Sequence, residues 1–543
     1  MQSDAAGQSR NPEKEIPLMQ YRRLRAPSEH GESLQLPPLG RCGQVFEANL
    51  NQGQQLAKIQ IGDVELKSLQ ETGRQELIEA ARQYTSQYLD VDLSDRSVDQ
   101  IVMSGHQPEL FHPGVWFKNF ALAQLGKQLN CIAINLVVDN DVCGSAAIRY
   151  PALASNGNPV SVGTIPLVAP GPNVPFESRR IDDLDFFGSF ADRAATAIAP
   201  LVKDPLVRRV WEQLDEVKDC VAAEPLLGRA IAMGRHRTEA QFGLRTLEVP
   251  VSRIAASKSF AVFAGSIIFE IERFQTAYNN ALAEYRTVHG IRSAAHPVPE
   301  LITENGWLEA PFWVWQPDAP KRKRLFVKLS NTTISVTDRE GWESSLELDK
   351  FAQQFSGLTD GGVLIRPRAL ITTMYSRLVL SDLFIHGIGG AKYDQLTDVV
   401  ASRFFGSAPP SIVTISATMK IPNDFDLPSR GDLIALRQLR REIEFHPETK
   451  VDSITPEVQA IIERKQELID GLVAGQRTRE RHLAIQQANQ ELQPFTTPGF
   501  AEVSQTIAAT AGDLRKSAVL NSREYSFALF PESLMEALAE MAK

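Results

Sequence analysis

DQIVMSGHQPELFHPGVWFKNFALAQLGKQLNCIAINLVVDNDVCG, residues 99–144, holds one complete β-loop-α-β unit. Ile101-Val102-Met103 is a short apolar run of the buried-strand type, and Ser104 to Gly114 is rich in turn residues. Val115 to Leu129 has apolar residues at helical spacing, and Cys131 to Val138 is a second apolar run. Such a unit closes right-handed into a parallel pair, and ligands of open α/β sheets sit beyond the carboxyl ends of the strands. His106, Gln107, His112, Gly114 and the group Asp139, Asn140, Asp141 are therefore expected on one rim.

A second β-α pattern lies in residues 361–406, GGVLIRPRALITTMYSRLVLSDLFIHGIGGAKYDQLTDVVASRFFG. Val363 to Ile365 and Leu383 to His386 read as strands, Ala369 to Leu380 and Ala391 to Phe405 as helices, and Gly387 to Gly390 as a glycine turn. The sheet is expected to resume here. Between the two patterns, helical runs (Arg179 to Ala223, Phe260 to Val288) precede an aromatic, strand-like stretch from Leu308 to Trp315. We read that region as an insertion domain. Beyond Ala408-Pro409-Pro410, Gly431 to Phe445 and Pro456 to Gln490 carry long helical patterns that suggest a hairpin or coiled coil.

The expected layout has a loosely ordered arm at 1–40, a sheet core at 41–165, the insertion at 166–355 and the resumed core at 356–410. A helical hairpin follows at 411–500, and 501–543 returns to the core as a strand near Leu520 to Phe527 and a closing helix. The fold class is α/β: a Rossmann-like parallel sheet, a large inserted helical and mixed domain, and a C-terminal helical hairpin or coiled coil.

Lys plus Arg number 57 and Asp plus Glu 66, giving a net charge of −9, the opposite of what a phosphate-backbone binder carries. No window holds the apolar run a membrane-spanning helix needs, and the first thirty residues lack a signal-peptide apolar region, so neither nucleic acid nor membrane is expected as partner and the expected location is cytoplasmic. Cys42, Cys131, Cys143 and Cys220 form no C-x-x-C pair and indicate neither a disulfide framework nor a cysteine zinc site.

The loop with Gly105, His106, Gln107, His112 and Gly114 follows a strand and opens a helix, whose first-turn amides favour an anion, with Lys118 one turn in. A phosphate or carboxylate would fit there; a purely structural turn is the alternative. His112-Pro113-Gly114-Val115 is also similar to half of the H-x-G-H signature of nucleotidyltransferases, Val115 standing in the second histidine's place. Gly387, Gly389 and Gly390, with His386 and Lys392, form a second candidate rim, and Arg366 and Arg368 could offer a fork to an oxyanion or make ordinary salt bridges. Asp139 and Asp141 could hold a hydroxyl, an amine or Mg²⁺, or simply shape an Asx turn. The basic run 321–324 reads as a solvated hairpin edge.

In the order of these features the chain resembles the bacillithiol-biosynthesis cysteine-adding enzyme family, putative cysteine ligases with a nucleotidyltransferase-like core. The matching pieces are Gly105-His106-Gln107 with Gly114, the acidic strand end at 139–141, Arg366-Pro367, and the glycine turn 387–390 with Lys392-Tyr393. His106 departs from the family's G-Q-Q-x-G opening, Asn140 from its acidic-His-acidic cluster, and Gly-Ile-Gly-Gly from its Gly-Pro-Gly-Glu turn. The resemblance implies a reaction that joins cysteine to an amino-sugar malate conjugate, with ATP or ADP in the crevice and the metal left open. In that reading His106, His112, Asp139 and Asp141 are catalytic, and Gly105, Gln107, Gly114, Lys118, Arg366, Arg368, His386, Gly387, Gly389, Gly390 and Lys392 bind an anionic small molecule. A homodimer through the helical hairpin is expected. A non-catalytic metabolite-binding or dimerisation module and a true nucleotidyltransferase stay open as alternatives.

Overall fold

The computed structural model describes residues 24–153, 159–425, 427–473 and 478–542. Its centre is a six-stranded sheet ordered Ser33–Leu36, Ile412–Ala417, Leu383–His386, Ser97–His106, Cys131–Val137, Leu247–Pro250. The last five run parallel, and Ser33–Leu36 closes the edge antiparallel to Ile412–Ala417. From Ser97–His106 the chain moves outward first to one side, through Cys131–Val137 and Leu247–Pro250. It later returns to the other side through Leu383–His386 and Ile412–Ala417. Strand order thus reverses between Ser97–His106 and Leu383–His386, which opens a crevice at their carboxyl ends.

The parallel strands are mostly apolar at their centres because both faces are covered there. Ile101, Met103, Ile132, Ile134 and Leu136 point into one core. Val102, Cys131 and Ala133, at the intervening positions, point into the other. The second core is filled by helix Pro113–Gln128, whose Trp116, Phe117 and Phe120 are buried. The first core lies under helices Leu66–Thr85, Lys258–Phe269 and Ile271–His289 and an antiparallel sheet. That sheet is ordered Glu343–Glu347, Thr333–Thr337, Ala319–Leu329, Trp307–Gln316, Leu364–Pro367, with Thr303–Glu304 paired to Trp307–Gln316.

Several expectations are corrected. Of the predicted arm at 1–40, residues 1–23 lie outside the described residues, and the remainder contributes the edge strand Ser33–Leu36. The segment 166–355 is not wholly an insertion, because Leu247–Pro250 is a strand of the parallel sheet. The strand around Val363 to Ile365 does not resume that sheet. As Leu364–Pro367 it pairs with Trp307–Gln316, Phe312 facing Pro367 and Trp313 facing Arg366. The predicted glycine turn 387–390 is the N-terminus of helix Ile388–Phe405, with Gly387 as N-cap.

The predicted helix over Pro456 to Gln490 is two helices, Pro456–Val473 and Arg479–Leu492, packed on each other, while Arg430–Phe445 packs on Phe500–Leu520. No strand forms near Leu520 to Phe527. There the Phe527 amide donates to the Phe111 carbonyl at 2.8 Å and the Phe530 carbonyl accepts from Leu206 at 2.9 Å, so these backbone groups find partners outside a ladder. A 3₁₀ turn Phe527–Leu529 and helix Glu532–Glu540 follow. Among the described residues no helix is long and apolar enough to cross a membrane.

Candidate functional site

A cavity of about 710 Å³ opens at the carboxyl ends of Ser97–His106 and Leu383–His386, where the strand order reverses. Gly105, His106, Gln107, His112, Gly114, Lys118, Asp141, Arg368, His386, Gly387, Gly389, Gly390 and Lys392 line it. Asp139 and Arg366 do not. Asp139 turns to the backbone amide and hydroxyl of Ser252, the amide at 3.0 Å, and burial together with nearby Glu177 pushes its carboxyl up to about 7. Arg366 forks onto Glu177, Nη2 at 2.8 Å and Nε at 3.0 Å. Both are anchors between elements, and the catalytic role expected of Asp139 and the ligand role expected of Arg366 are withdrawn.

The two histidines are held as opposite tautomers. Burial drives His106 down to about 3 and His112 down to about 4, so both rings are neutral near pH 7. His106 Nδ1 lies 3.1 Å from the Gln107 carbonyl, which can only accept, so Nδ1 carries the proton and Nε2 is an acceptor. His112 caps helix Pro113–Gln128: its Nδ1 accepts from the Gly114 amide at 3.0 Å, which leaves Nε2–H as a donor. One imidazole can accept a hydrogen bond and the other can donate one to an oxyanion.

Lys118 lies one turn into the same helix and is buried. Its Nζ donates to the Gly105 carbonyl at 2.8 Å and to Ser104 Oγ at 2.6 Å; that hydroxyl passes its own proton to the Ile385 carbonyl at 2.9 Å. Among the described residues no carboxylate pairs with it. Burial, aided by the Arg235 charge, brings its ammonium down to about 7.

Asp141 ties the loop to the antiparallel sheet, accepting from Gln107 at 3.0 Å and from Arg322 at 2.9 Å. Arg322 and Arg368 both lie against Trp313, 4.8 and 4.2 Å from its ring centroid. Across the crevice, His386 Nε2 is 2.9 Å from Asp394, which Arg377 also reaches at 2.6 Å. Burial opposes ionisation of Asp394, yet Arg377 and His386 hold its carboxyl well below the ordinary range. Lys392 is exposed at the mouth. The lining includes five cationic side chains, Lys118, Arg322, Arg368, Lys392 and Arg523, against two carboxylates, Asp141 and Glu524. That balance selects for negative charge.

Arg322, Trp313, Asn140 and Arg523 are lining residues to which the sequence reading assigned no ligand contact. For Arg322 a signal existed: it alternates with Arg324 along strand Ala319–Leu329 and so shares a face with it. Arg523, more than a hundred residues beyond the second rim, offered none.

The glycines are not equivalent. A Cβ at Gly114 would stand 2.6 Å from the Ala417 carbonyl and 2.7 Å from Ser416 Oγ, so the helix could not keep its distance from strand Ile412–Ala417. At Gly390 it would meet the His386 ring at 2.4 Å, whereas Gly387 and Gly389 face open space. Gly114→Ala is expected to cost about 1–3 kcal/mol. Gly389→Ala, inside a helix, should be neutral or stabilising by up to about 1 kcal/mol. Urea midpoints of the two variants check the contrast; equal effects would refute it.

Among the described residues no group of three or more His, Cys, Asp or Glu is placed to hold a metal ion. The lining does suit phosphate: helix N-termini at Gly114 and Gly387, cations, and the Trp313, Tyr278 and Tyr393 rings in a cavity of nucleotide size. No protein-family model matches the chain, and no curated protein sequence matches it.

Proposed function

We propose that this chain is an enzyme that binds an anionic small molecule or a nucleotide across the strand-order reversal of a Rossmann-like core. Its reaction class is the ligase-type, carbon–nitrogen bond formation that the bacillithiol resemblance implies. The observation that carries the reading is the shared cavity. Residues near 106 and near 389, far apart in the chain, meet there with two neutral imidazoles of opposite tautomer and an excess of cations.

In this reading His112 Nε2–H and the cations receive the oxyanion, and His106 Nε2 accepts a hydrogen bond that orients the attacking amine, whose proton is released to solvent. Gln107, anchored by Asp141, keeps the loop in place, and Asp394 fixes the orientation of His386. A nucleotide, when bound, would supply an activating phosphoryl or nucleotidyl group.

The test compares wild type with a His106→Gln/His112→Asn double variant; asparagine retains the helix cap. ATP, ADP or glucosaminyl malate should raise the melting temperature of wild type, and the variant should keep its own melting temperature but lose that shift. Mass spectrometry of wild type incubated with cysteine, glucosaminyl malate and ATP should show the coupled product. No ligand shift in wild type, or an unchanged shift in the variant, would overturn the site; a shift without product would leave a binding protein.

A further inference from the structure

Resting on the reading of the cavity as an anion site, we propose that its Trp313 wall is a subsite for an oxyanion bearing a neighbouring hydroxyl, Arg368 taking the charge and Asn140 Oδ1 the hydroxyl proton.

Arg368 is 9% exposed and lines the cavity, at the N-cap of helix Ala369–Tyr375. It donates through Nη2 to Glu309 at 2.7 Å and rests on Trp313, but its Nε and Nη1 have no acceptor among the described residues. Buried ionised donors left without acceptors are costly, and the few that persist call for a partner from outside the chain. The neighbouring carboxylates are already committed. Glu309 also faces Arg324 at 3.3 Å, and Asp141 is matched to Arg322 at 2.9 Å. One carboxylate shared by two guanidinium groups leaves this wall a net positive charge, which an anion would balance.

Asn140, 4% exposed, supplies the second half. Its Nδ2 donates to the Pro367 carbonyl at 2.8 Å, and since a carbonyl oxygen can only accept, that contact fixes which way round the amide sits. Oδ1 is therefore an acceptor, it has no partner, and the residue lines the same cavity. Pro367 directly precedes Arg368, so the tether joins Asn140 to the backbone that carries the guanidinium, and both residues line the one cavity. A bare carboxylate or phosphate would serve Arg368 and repel Asn140 Oδ1. An α-hydroxy acid or a hydroxyl-bearing phosphate ester serves both.

Calorimetric titration of the full chain with two matched pairs tests this: lactate against propionate, and glycerol 3-phosphate against propyl phosphate. In at least one pair the hydroxyl-bearing member should bind wild type about tenfold more tightly, the worth of one good hydrogen bond. Which pair shows the preference identifies the anion as carboxylate or phosphate. Asn140→Leu should abolish the preference while leaving propionate or propyl phosphate unaffected, and Arg368→Met should weaken both members. Equal affinities within both pairs in wild type, a preference that survives Asn140→Leu, or unchanged binding by Arg368→Met would each overturn the subsite, and the first of these needs no variant. Anion binding without a hydroxyl preference would reject the subsite and spare the anion site; no binding of any of the four would reject both.

Discussion

Arg235→Met is expected to lose about 3–5 kcal/mol of stability, the range for a buried ion pair stripped of one partner. The guanidinium lies between Glu239 at 2.5 Å and Glu248 at 2.6 Å, all three side chains buried. Glu248 sits in the edge strand Leu247–Pro250 and also accepts from Asn135, while Glu239 accepts from Asn119. Without Arg235 two carboxylates would remain in the interior with neutral partners only. The urea midpoint at neutral pH measures the loss, which should shrink in acid as the two carboxylates take up protons. The same network reaches the cavity: Asn119 follows Lys118 on its helix, and the Arg235 charge is one of the influences, after burial, that favour the uncharged forms of Lys118 and His106. The variant should therefore raise the titration midpoint of Lys118, which NMR of the labelled side chain reads directly. An unchanged urea midpoint would refute the first claim, and an unchanged Lys118 titration the second.

Raising the pH from 7 to 9 should stabilise wild type relative to Lys118→Met by about 2–3 kcal/mol. The ordinary lysine value of 10.5 applies to the unfolded chain, while burial brings Lys118 down to about 7 in the fold. Between those values the unfolded state holds the extra proton, so the Lys118 contribution to stability rises with pH across the window and is lost as pH falls toward 7. Lys118→Met has no such proton and should lack that slope. Parallel unfolding curves at pH 7, 8 and 9 decide the matter; equal slopes would show that Lys118 stays charged in the fold. An unpaired buried ammonium at a cavity wall is a stability cost retained at a site, and the variant should lose anion response along with the slope.

Much of the central sheet was readable. The runs Ile101 to Met103, Cys131 to Val138 and Leu383 to His386 are apolar at nearly every position, Asn135 and His386 excepted, as a strand covered on both faces favours, and all three lie in the parallel sheet. Leu247 to Pro250, only four residues long and containing Glu248, gave no comparable signal because the charge is compensated by Arg235, thirteen residues before it on helix Leu227–Gln241. Val363 to Ile365 was recognisable as a strand, but its partner was not: strand type follows from side-chain pattern, whereas pairing follows from which edge is free when the domain closes.

The rim residues divide along the same line. That His106, Gln107, His112, Gly114 and the residues around 386–392 belong at strand ends follows from local pattern, because a strand-to-helix turn in a parallel sheet places its residues at the carboxyl rim whatever surrounds it. Which of them face the cavity depends on partners more than a hundred residues away. Asp139 is taken by Ser252 and Arg366 by Glu177, while Arg368, two positions on, keeps two nitrogens unspent. Charge state follows the same division. His106 and Lys118 are ordinary titrating residues in the chain and become a neutral ring and a near-neutral amine only where packing removes water and brings Arg235 close. Local sequence carries periodicity and turn chemistry, which act over a few residues; desolvation and Coulomb energy act through space, and they exist only once distant segments have met.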